Sequence, residues 1–222
     1  MDIINESKAM TDSPNKHRAL IVVDVQNDYD GGGLPIEYPP FADTVVNVSR
    51  AMDLATEAGI RVVVVKQLAP ETSPIFAVGS HGGALHPDIA SRPADHVIEK
   101  KLPSAFAGTG LEAWLRTEGI TTLTIVGYMT HNCDLATAID GTQLGFHVEL
   151  LSDATGSVPY KNRAGFATAQ EIHRVMLIVM QARFAGVGTL EEWRKLLSAG
   201  QRLEVDGIAE SNMAARAASH AA

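Results

Sequence analysis

The sequence has little of several features that would place a protein in a special class. Cys133 is the only cysteine among 222 residues, so an internal disulfide is impossible, and we expect a reducing, cytoplasmic setting. No apolar run is as long as a membrane span. Residues 1–18 lack the apolar core of a signal peptide. These absences favour a globular cytoplasmic protein with no membrane partner.

Positive charge is also scarce. The chain has 18 Lys and Arg against 26 Asp and Glu, a formal net charge of −8, and no basic run. This balance argues against nucleic acid as a partner. The glycine-rich segments near Gly31 and Gly186 lack the complete spacing of nucleotide-binding loops. We therefore expect no cofactor.

One stretch, residues 121–145, organises the rest of the chain. Its β-branched first part predicts a buried strand that ends at Gly127, and its second part predicts a helix. Thr130 or Asn132 is expected to cap that helix, which places Cys133 in the first turn. Unpaired backbone N–H groups in a first turn lower a thiol pKa and bind a developing oxyanion.

A second interpretation of Cys133 stays open at this point. A lone cysteine in a soluble chain is commonly a small buried hydrophobe. Its place at a strand-to-helix turn favours function, because open α/β sheets bind ligands at the carboxyl ends of their strands.

The alternation of patterns predicts a single-domain three-layer α-β-α fold with a mainly parallel, Rossmann-like sheet. The core domain is expected over residues 18–200, between a flexible arm, 1–17, and a tail, 201–222, that forms a frayed helix or a partner-swapped arm. The predicted strands are 20–23, 60–65, 97–98, 121–127, 146–151 and 184–187; the predicted helices are 41–58, 109–118, 162–183 and 190–197. The core stripe of the predicted helix 162–183 is expected to be Ile172, Val175, Met176 and Val179.

The segment 67–96 is predicted to be a long loop that shapes a pocket. His81 and His86 lie in it. A metal pair there is conceivable, but no cluster of Asp or Cys ligands is near in sequence, so a surface or pocket-lining role is favoured.

Three ionisable residues stand at corresponding points of three predicted strands. Asp24 ends one strand, Lys100 follows another and Cys133 follows a third. A parallel sheet brings these points to one edge. A thiol that acts as a nucleophile at neutral pH needs a base and a positive neighbour, and this set supplies both.

On these residues the sequence resembles the isochorismatase-like cysteine hydrolases, which include nicotinamidases and carbamoyl-amide and ureide hydrolases. Three segments carry the match: LIVVDVQNDY with Asp24, VIEKKLPSAFAGTGLEAWL with Lys100, and IVGYMTHNCDLATAIDGTQLGF with Cys133. In the family pattern the lysine stands four residues before a serine, here Ser104, which selects Lys100 over Lys101.

The resemblance implies roles for several residues. Asp24 would deprotonate Cys133, Lys100 would support the ion cluster, and the backbone N–H groups of Met129 and Cys133 would form the oxyanion hole. It also implies a cis peptide at Tyr128–Met129, a covalent thioester-like intermediate and a homodimer or homotetramer. The candidate substrate-binding residues are Gln26, Tyr29, Gln67, Phe106, Met129, Thr130, His131 and Asn132.

The sequence departs from the metal-dependent members of the family. Nicotinamidases bind a metal through an Asp-x-His pair after the second strand, where this chain reads VKQLAPETSPIF. The resemblance therefore implies a metal-independent amidohydrolase that cleaves a C–N bond of a small amide, carbamoyl compound or ureide.

Other functions remain open from the sequence. The chain could be a non-catalytic binding or scaffold protein on the same fold, or a vinyl-ether hydrolase of the isochorismatase type, although the latter members work without a cysteine. Redox sensing by Cys133 is disfavoured because the chain has no second cysteine to resolve a sulfenic acid. His131 as the base is disfavoured because it stands two residues before Cys133, across a helix start.

Overall fold

A computed structural model describes residues 15–220, so most of the predicted arm, 1–17, lies outside the described residues. The strands are β1 Arg18–Val23, β2 Arg61–Gln67, β3 His96–Lys100, β4 Thr122–Tyr128, β5 His147–Gly156, β6 Tyr160–Asn162, β7 Gly165–Ala167 and β8 Gly186–Gly188. The helices are α1 Phe41–Glu57, α2 Pro87–Ala90, α3 Leu111–Thr117, α4 Leu135–Gln143, α5 Ala169–Gln181, α6 Leu190–Ser198 and α7 Ile208–His220.

Six strands form one parallel sheet in the order β3-β2-β1-β4-β5-β8, with helices packed against both faces. Successive residues of β1 alternate between two cores: Leu20 and Val22 belong to one, and Ile21 and Val23 to the other. Burial on both faces explains why β1 is a continuous apolar run. The predicted three-layer α/β fold is confirmed.

The parallel arrangement brings three strand ends to one edge of the sheet. Asp24 follows β1, Lys100 is the last residue of β3, and β4 leads into the turn that carries Cys133. Asp24 has a positive φ of 51°, which is rare for residues other than glycine but tolerated by Asp. The backbone therefore turns sharply where the first predicted site residue stands.

Gly127 does not end β4, contrary to the sequence prediction. The strand continues to Tyr128, with Gly127 at a φ of 111°. A Cβ at this position would lie 2.1 Å from the Val23 carbonyl oxygen. The glycine therefore permits close approach of β1 to β4, rather than marking a turn.

The strand β5 is longer than predicted. Its pairing with β4 shifts register between Ile125 and Gly127, and it then continues to Gly156. A β-bulge of this kind carries a strand past the point where its regular pattern stops. The extension places Thr155 beside Gly127, at the edge of the sheet where Cys133 lies.

The predicted helix 162–183 is wrong at its start. The strands β6 and β7 form an antiparallel hairpin there, and α5 begins only at Ala169. Thr168 caps α5 with a complete capping box to Glu171. That reciprocal pair of hydrogen bonds is a strong local start signal, and it lies inside the range taken as helix.

The predicted core stripe of α5 is wrong at Val175 and Val179, whereas Met176 is partly buried against the core as predicted. Val175 and Val179 are 40% and 42% exposed, whereas Ala169, His173 and Met180 form the buried face. Helical periodicity finds an apolar face, but it does not show whether that face meets the same chain. In this chain the buried face of α5 carries a histidine.

The tail forms the helix α7, and no helix of the described residues is long and apolar enough to cross a membrane. The segment 67–96 contains the short helix α2 and is held over the sheet edge by residues 26–28. The Asp28 carboxylate accepts the N–H of Phe76 at 2.6 Å, and Asn27 donates to the His81 carbonyl at 2.8 Å.

A buried ion pair stabilises the opposite end of the sheet. The Glu149 carboxylate is fully buried and accepts from Arg18 at 3.0 Å, from Thr124 at 2.6 Å and from the Trp193 indole at 3.1 Å. Its Oε1 also accepts the N–H of Leu203 at 2.9 Å. These bonds join β1, β4, β5, α6 and the segment before α7.

We expect Glu149→Gln to lower the free energy of unfolding by about 3–5 kcal/mol, because it leaves the buried Arg18 cation without its counter-ion. The matched control is Glu112→Gln, which removes an exposed pair with Arg116 and should cost less than about 1 kcal/mol. Urea unfolding of both variants measures the difference. Equal losses in the two variants would contradict this role for Glu149.

Candidate active site

The turn that carries Cys133 has an unusual backbone. The Tyr128–Met129 peptide is cis, as the resemblance implies, and Thr130–Asp134 forms a π-helical turn that leads into α4. Neither Thr130 nor Asn132 caps the helix with its side chain, contrary to the prediction. The N–H groups of Asn132 and Asp134 both donate to the Met129 carbonyl, at 3.0 and 3.2 Å.

Asp24, Lys100 and Cys133 meet as predicted from the strand ends. Lys100 Nζ lies 2.6 Å from Asp24 Oδ2 and donates to Cys133 Sγ at 3.2 Å. Asp24, Lys100 and Cys133 are 0%, 2% and 6% exposed. A single ammonium group therefore contacts both a carboxylate and a thiol in a site that is nearly closed to water.

Two further oxygens hold Lys100 in place. Its Nζ donates to Gln67 Oε1 at 2.7 Å and to the Leu102 carbonyl at 3.2 Å. Gln67 and Lys100 are paired in register on β2 and β3, so the sheet itself sets their approach. Lys101, the next residue, is exposed, because adjacent residues of an extended segment face opposite ways.

Burial decides the protonation of the acid. It raises the pKa of Asp24 from 3.8 to about 6, against the opposing effect of the Lys100 ammonium. Asp24 is therefore a carboxylate above pH 6 and is poised to accept a proton near neutrality.

The pKa of Cys133 moves in the direction opposite to the sequence expectation. Burial, together with the Asp24 charge, raises it to about 12, although the Lys100 ammonium lowers it. The desolvation of a thiolate outweighs the backbone N–H groups of the turn. The residue is thus a thiol at neutral pH.

Several predicted substrate-binding residues are already engaged by the protein. The Gln26 amide donates to the carbonyls of Gln67 and Gly83 and accepts the N–H of Gln67 at 2.9 Å. Tyr29 is buried against Phe76 and Tyr128, with both ring centroids at 5.1 Å. The contacts of Gln26 hold Gln67 in place, and Gln67 in turn accepts a hydrogen bond from Lys100.

The remaining candidates lie around the turn itself. Phe106 stacks on Phe146 at 5.9 Å and is half-buried, and Asn132 is exposed. The His131 ring contacts Ser157 Oγ at 3.1 Å and Tyr160 OH at 3.0 Å. Burial lowers the pKa of His131 to about 4, so it is neutral at pH 7.

The sequence prediction missed a buried polar group behind Cys133. It comprises Asp134, Thr155, Thr130 and His173, of which only Thr130 was a candidate. Asp134 stands next to Cys133 but was not a candidate. His173 could have been found as the polar residue at helical spacing between Ala169 and Met180. Thr155 is reached only through the bulge in β5.

The sequence also predicts that the reaction needs no metal ion. Within residues 15–220, no three His, Cys, Asp or Glu side chains are grouped so that they could hold a metal ion. His81 is exposed, and His86 caps α2 by accepting the N–H of Asp88 at 3.3 Å.

Comparison with known proteins identifies similar chains over most of the length. A family model described as Isochorismatase domain matches residues 18–192. A crystal structure described as a candidate isochorismatase, from Burkholderia xenovorans LB400, shares 52% sequence identity at a TM-score of 0.90, covering 92% of this chain and 98% of that one.

Two curated enzymes are more distant relatives. The ureidoacrylate amidohydrolase of Methylobacterium radiotolerans is 26% identical over 216 residues, covering 82% of this chain and 80% of that protein. The nicotinamidase/pyrazinamidase of Mycobacterium tuberculosis is 28% identical over 162 residues, covering 64% of this chain and 87% of that protein.

The ion cluster predicts a pH-dependent stability defect in Lys100→Met. Because burial raises the pKa of Asp24, the folded protein binds the Asp24 proton more tightly than the unfolded chain does. The stability that this proton binding contributes is complete below pH 3.8 and is lost as the pH rises through about 6. Without Lys100 that pKa rises further, so the defect should grow with pH and reach about 3–5 kcal/mol at pH 8.

Urea unfolding between pH 4 and 8 measures this defect. Lys101→Met is the matched control, since it removes an exposed lysine one residue away and should show no such trend. A defect of Lys100→Met that is constant with pH would contradict the pairing of Lys100 with an ionised Asp24.

Proposed function

Because the chain belongs to the isochorismatase family and is a hydrolase, we propose that it cleaves a C–N bond of a small amide, carbamoyl compound or ureide, with Cys133 as the nucleophile. The observation that carries this proposal is the contact of one buried ammonium, Lys100 Nζ, with both Asp24 and Cys133. A base, a thiol and a cation in mutual contact form the arrangement that thiol-based acyl transfer needs.

In the first step, the thiol proton of Cys133 moves to the Asp24 carboxylate as the sulfur attacks the substrate carbonyl carbon. The charge of the cluster is conserved, because the carboxylate loses its negative charge while the negative charge passes through sulfur to the substrate oxygen. Lys100 stays protonated throughout and lies beside both the acid and the sulfur. This concerted route avoids a free buried thiolate, which the raised pKa of Cys133 disfavours.

The oxyanion of the tetrahedral intermediate needs donors where its charge develops. We assign this role to the backbone N–H groups of Met129 and Cys133. Met129 follows the cis peptide and Cys133 lies in the π turn, so both N–H groups belong to one short segment. The N–H groups of Asn132 and Asp134 are bonded to the Met129 carbonyl.

Collapse of the intermediate breaks the C–N bond, and Asp24 returns the proton to the leaving nitrogen. Ammonia or an amine leaves, and the acyl or carbamoyl group remains on sulfur as a thioester or thiocarbamate. Water then attacks this carbonyl carbon with Asp24 again accepting a proton, and Cys133 recovers its proton as it leaves. No step needs an oxidant, a reductant or a metal ion.

The class of substrate is supported by the relatives rather than by a pocket signature. The named relatives include an amidohydrolase of ureidoacrylate and a nicotinamidase, and both names describe hydrolysis at an amide-type nitrogen. Gln26, Tyr29, Gln67, Phe106, Thr130, His131 and Asn132 stay predictions as substrate contacts, as does the homo-oligomeric state.

We expect Cys133→Ser to abolish turnover without unfolding the protein. The wild-type chain is incubated with nicotinamide, ureidoacrylate and N-carbamoyl amino acids, and ammonia release is measured. Intact mass spectrometry of quenched wild-type reactions should show an acyl or carbamoyl adduct on the only cysteine. Circular dichroism controls for folding. Ammonia release that survives in Cys133→Ser, or turnover confined to isochorismate, would contradict the proposal.

The pH profile tests the role of Asp24. Because the base must be ionised, kcat/KM should rise with pH through a midpoint near the Asp24 pKa of about 6. We expect Asp24→Asn to lower kcat/KM by about 10²-fold or more, since general-base catalysis contributes about 10²–10⁴-fold. An unchanged profile in Asp24→Asn would assign the base to another residue.

A further inference from the structure

The buried polar group behind Cys133 forms a continuous hydrogen-bonded chain. The Asp134 carboxyl bonds to Thr155 Oγ1, and Thr155 Oγ1 bonds to Thr130 Oγ1 at 2.9 Å. Thr130 Oγ1 contacts His173 Nδ1 at 3.0 Å. Asp134, Thr155 and Thr130 are fully buried and His173 is 4% exposed.

Thr155 holds both ends of the turn that carries Cys133. That turn begins at Thr130 and ends at Asp134, and each of these side chains is bonded to the one hydroxyl of Thr155 on β5. One residue of β5 therefore holds both ends of the turn. His173 anchors the same group to α5.

Counting protons narrows the chain of bonds to two states. Its three bonds need three hydrogens, and the hydroxyls of Thr130 and Thr155 supply two. The third hydrogen is carried either by Asp134, as a neutral acid, or by Nδ1 of a neutral His173, with Asp134 as a carboxylate.

The surroundings decide between these two states. Burial lowers the pKa of His173 to about 4, so its ring is neutral in both states. Burial raises the pKa of Asp134 to about 7, with Asp24 raising it and Thr155 and Lys100 lowering it. Asp134 Oδ1 is buried and has no hydrogen-bond partner within the described residues, which a neutral carboxyl tolerates better than a carboxylate.

We propose that Asp134 is a positioning residue, a neutral acid that donates its proton to Thr155 and thereby fixes the turn of Cys133. Its neutrality also matters for the charge of the site. Asp24 and the developing negative charge of the reaction share a single cation, Lys100, and an ionised Asp134 would add an uncompensated buried charge beside them. This inference rests on the proposed function only in naming Cys133 as the nucleophile.

The protonation of Asp134 is measured directly by infrared spectroscopy of the intact protein. At pH 6, below the Asp134 pKa of about 7, the wild type should show the C=O stretch of a protonated carboxylic acid, and Asp134→Asn should remove it. Asp24→Asn separates the contribution of the other buried acid. A band that Asp134→Asn leaves unchanged would overturn the proposal.

The closure of the turn is measured by hydrogen exchange. We expect Thr155→Val to speed exchange of the Asn132 and Asp134 amides by about tenfold or more, the scale of losing a buried hydrogen bond. Thr155→Ser, which keeps the hydroxyl, should restore exchange to within about threefold. Thr124→Val is the matched control, since it deletes a buried strand hydroxyl bonded to Glu149, away from the turn. Equal exchange in Thr155→Val and the wild type would overturn the closure role.

A kinetic readout connects the turn to the reaction. With any amide that the wild type hydrolyses, Thr155→Val should lower kcat by about tenfold and change KM less than about twofold, because Thr155 acts through the turn. A loss confined to KM would overturn this positioning role. If no amide is hydrolysed but the infrared band and the exchange results hold, the proposed function fails while the assignment of Asp134 survives.

Discussion

The contact of one buried ammonium with a carboxylate and a thiol is the interaction on which this site depends. Lys100 Nζ is nearly inaccessible to water, and it contacts Asp24, Gln67 and the Leu102 carbonyl. Removing a charge from water is costly, so the surrounding structure has to supply these partners in place before Cys133 can use them. The parallel sheet supplies them, because the ends of β1, β3 and β4 reach the same edge and each contributes one member.

The proposed reaction transfers a proton within a closed cluster. Burial raises the pKa of both Asp24 and Cys133, and a raised thiol pKa disfavours a free thiolate nucleophile. The two shifts have a common effect, however: each disfavours an isolated negative charge and favours moving the proton and the electron pair together. A neutral Asp134 fits the same requirement, because it holds the turn of Cys133 through its bond to Thr155 without adding a buried charge.

Local signals in the sequence were sufficient for the architecture and for the three central residues. The continuous apolar run of β1 and the residues that follow each strand predicted the sheet and placed Asp24, Lys100 and Cys133 together. Local signals failed where distant residues compete. The capping box of Thr168 lies inside an apolar helical pattern, and the stripe of Val175 and Val179 faces solvent because periodicity does not identify what a face packs against.

The sequence by itself therefore determined which groups could do the chemistry and at which edge of the sheet they would meet. Only the tertiary structure decided the protonation states of these groups and which distant residues hold them in place. The pKa values depend on desolvation, which is a property of everything packed around a group and not of its neighbours in the chain. Thr155 and His173 reach the turn of Cys133 through a β-bulge and a helix some twenty and forty residues away, a juxtaposition that no local pattern encodes.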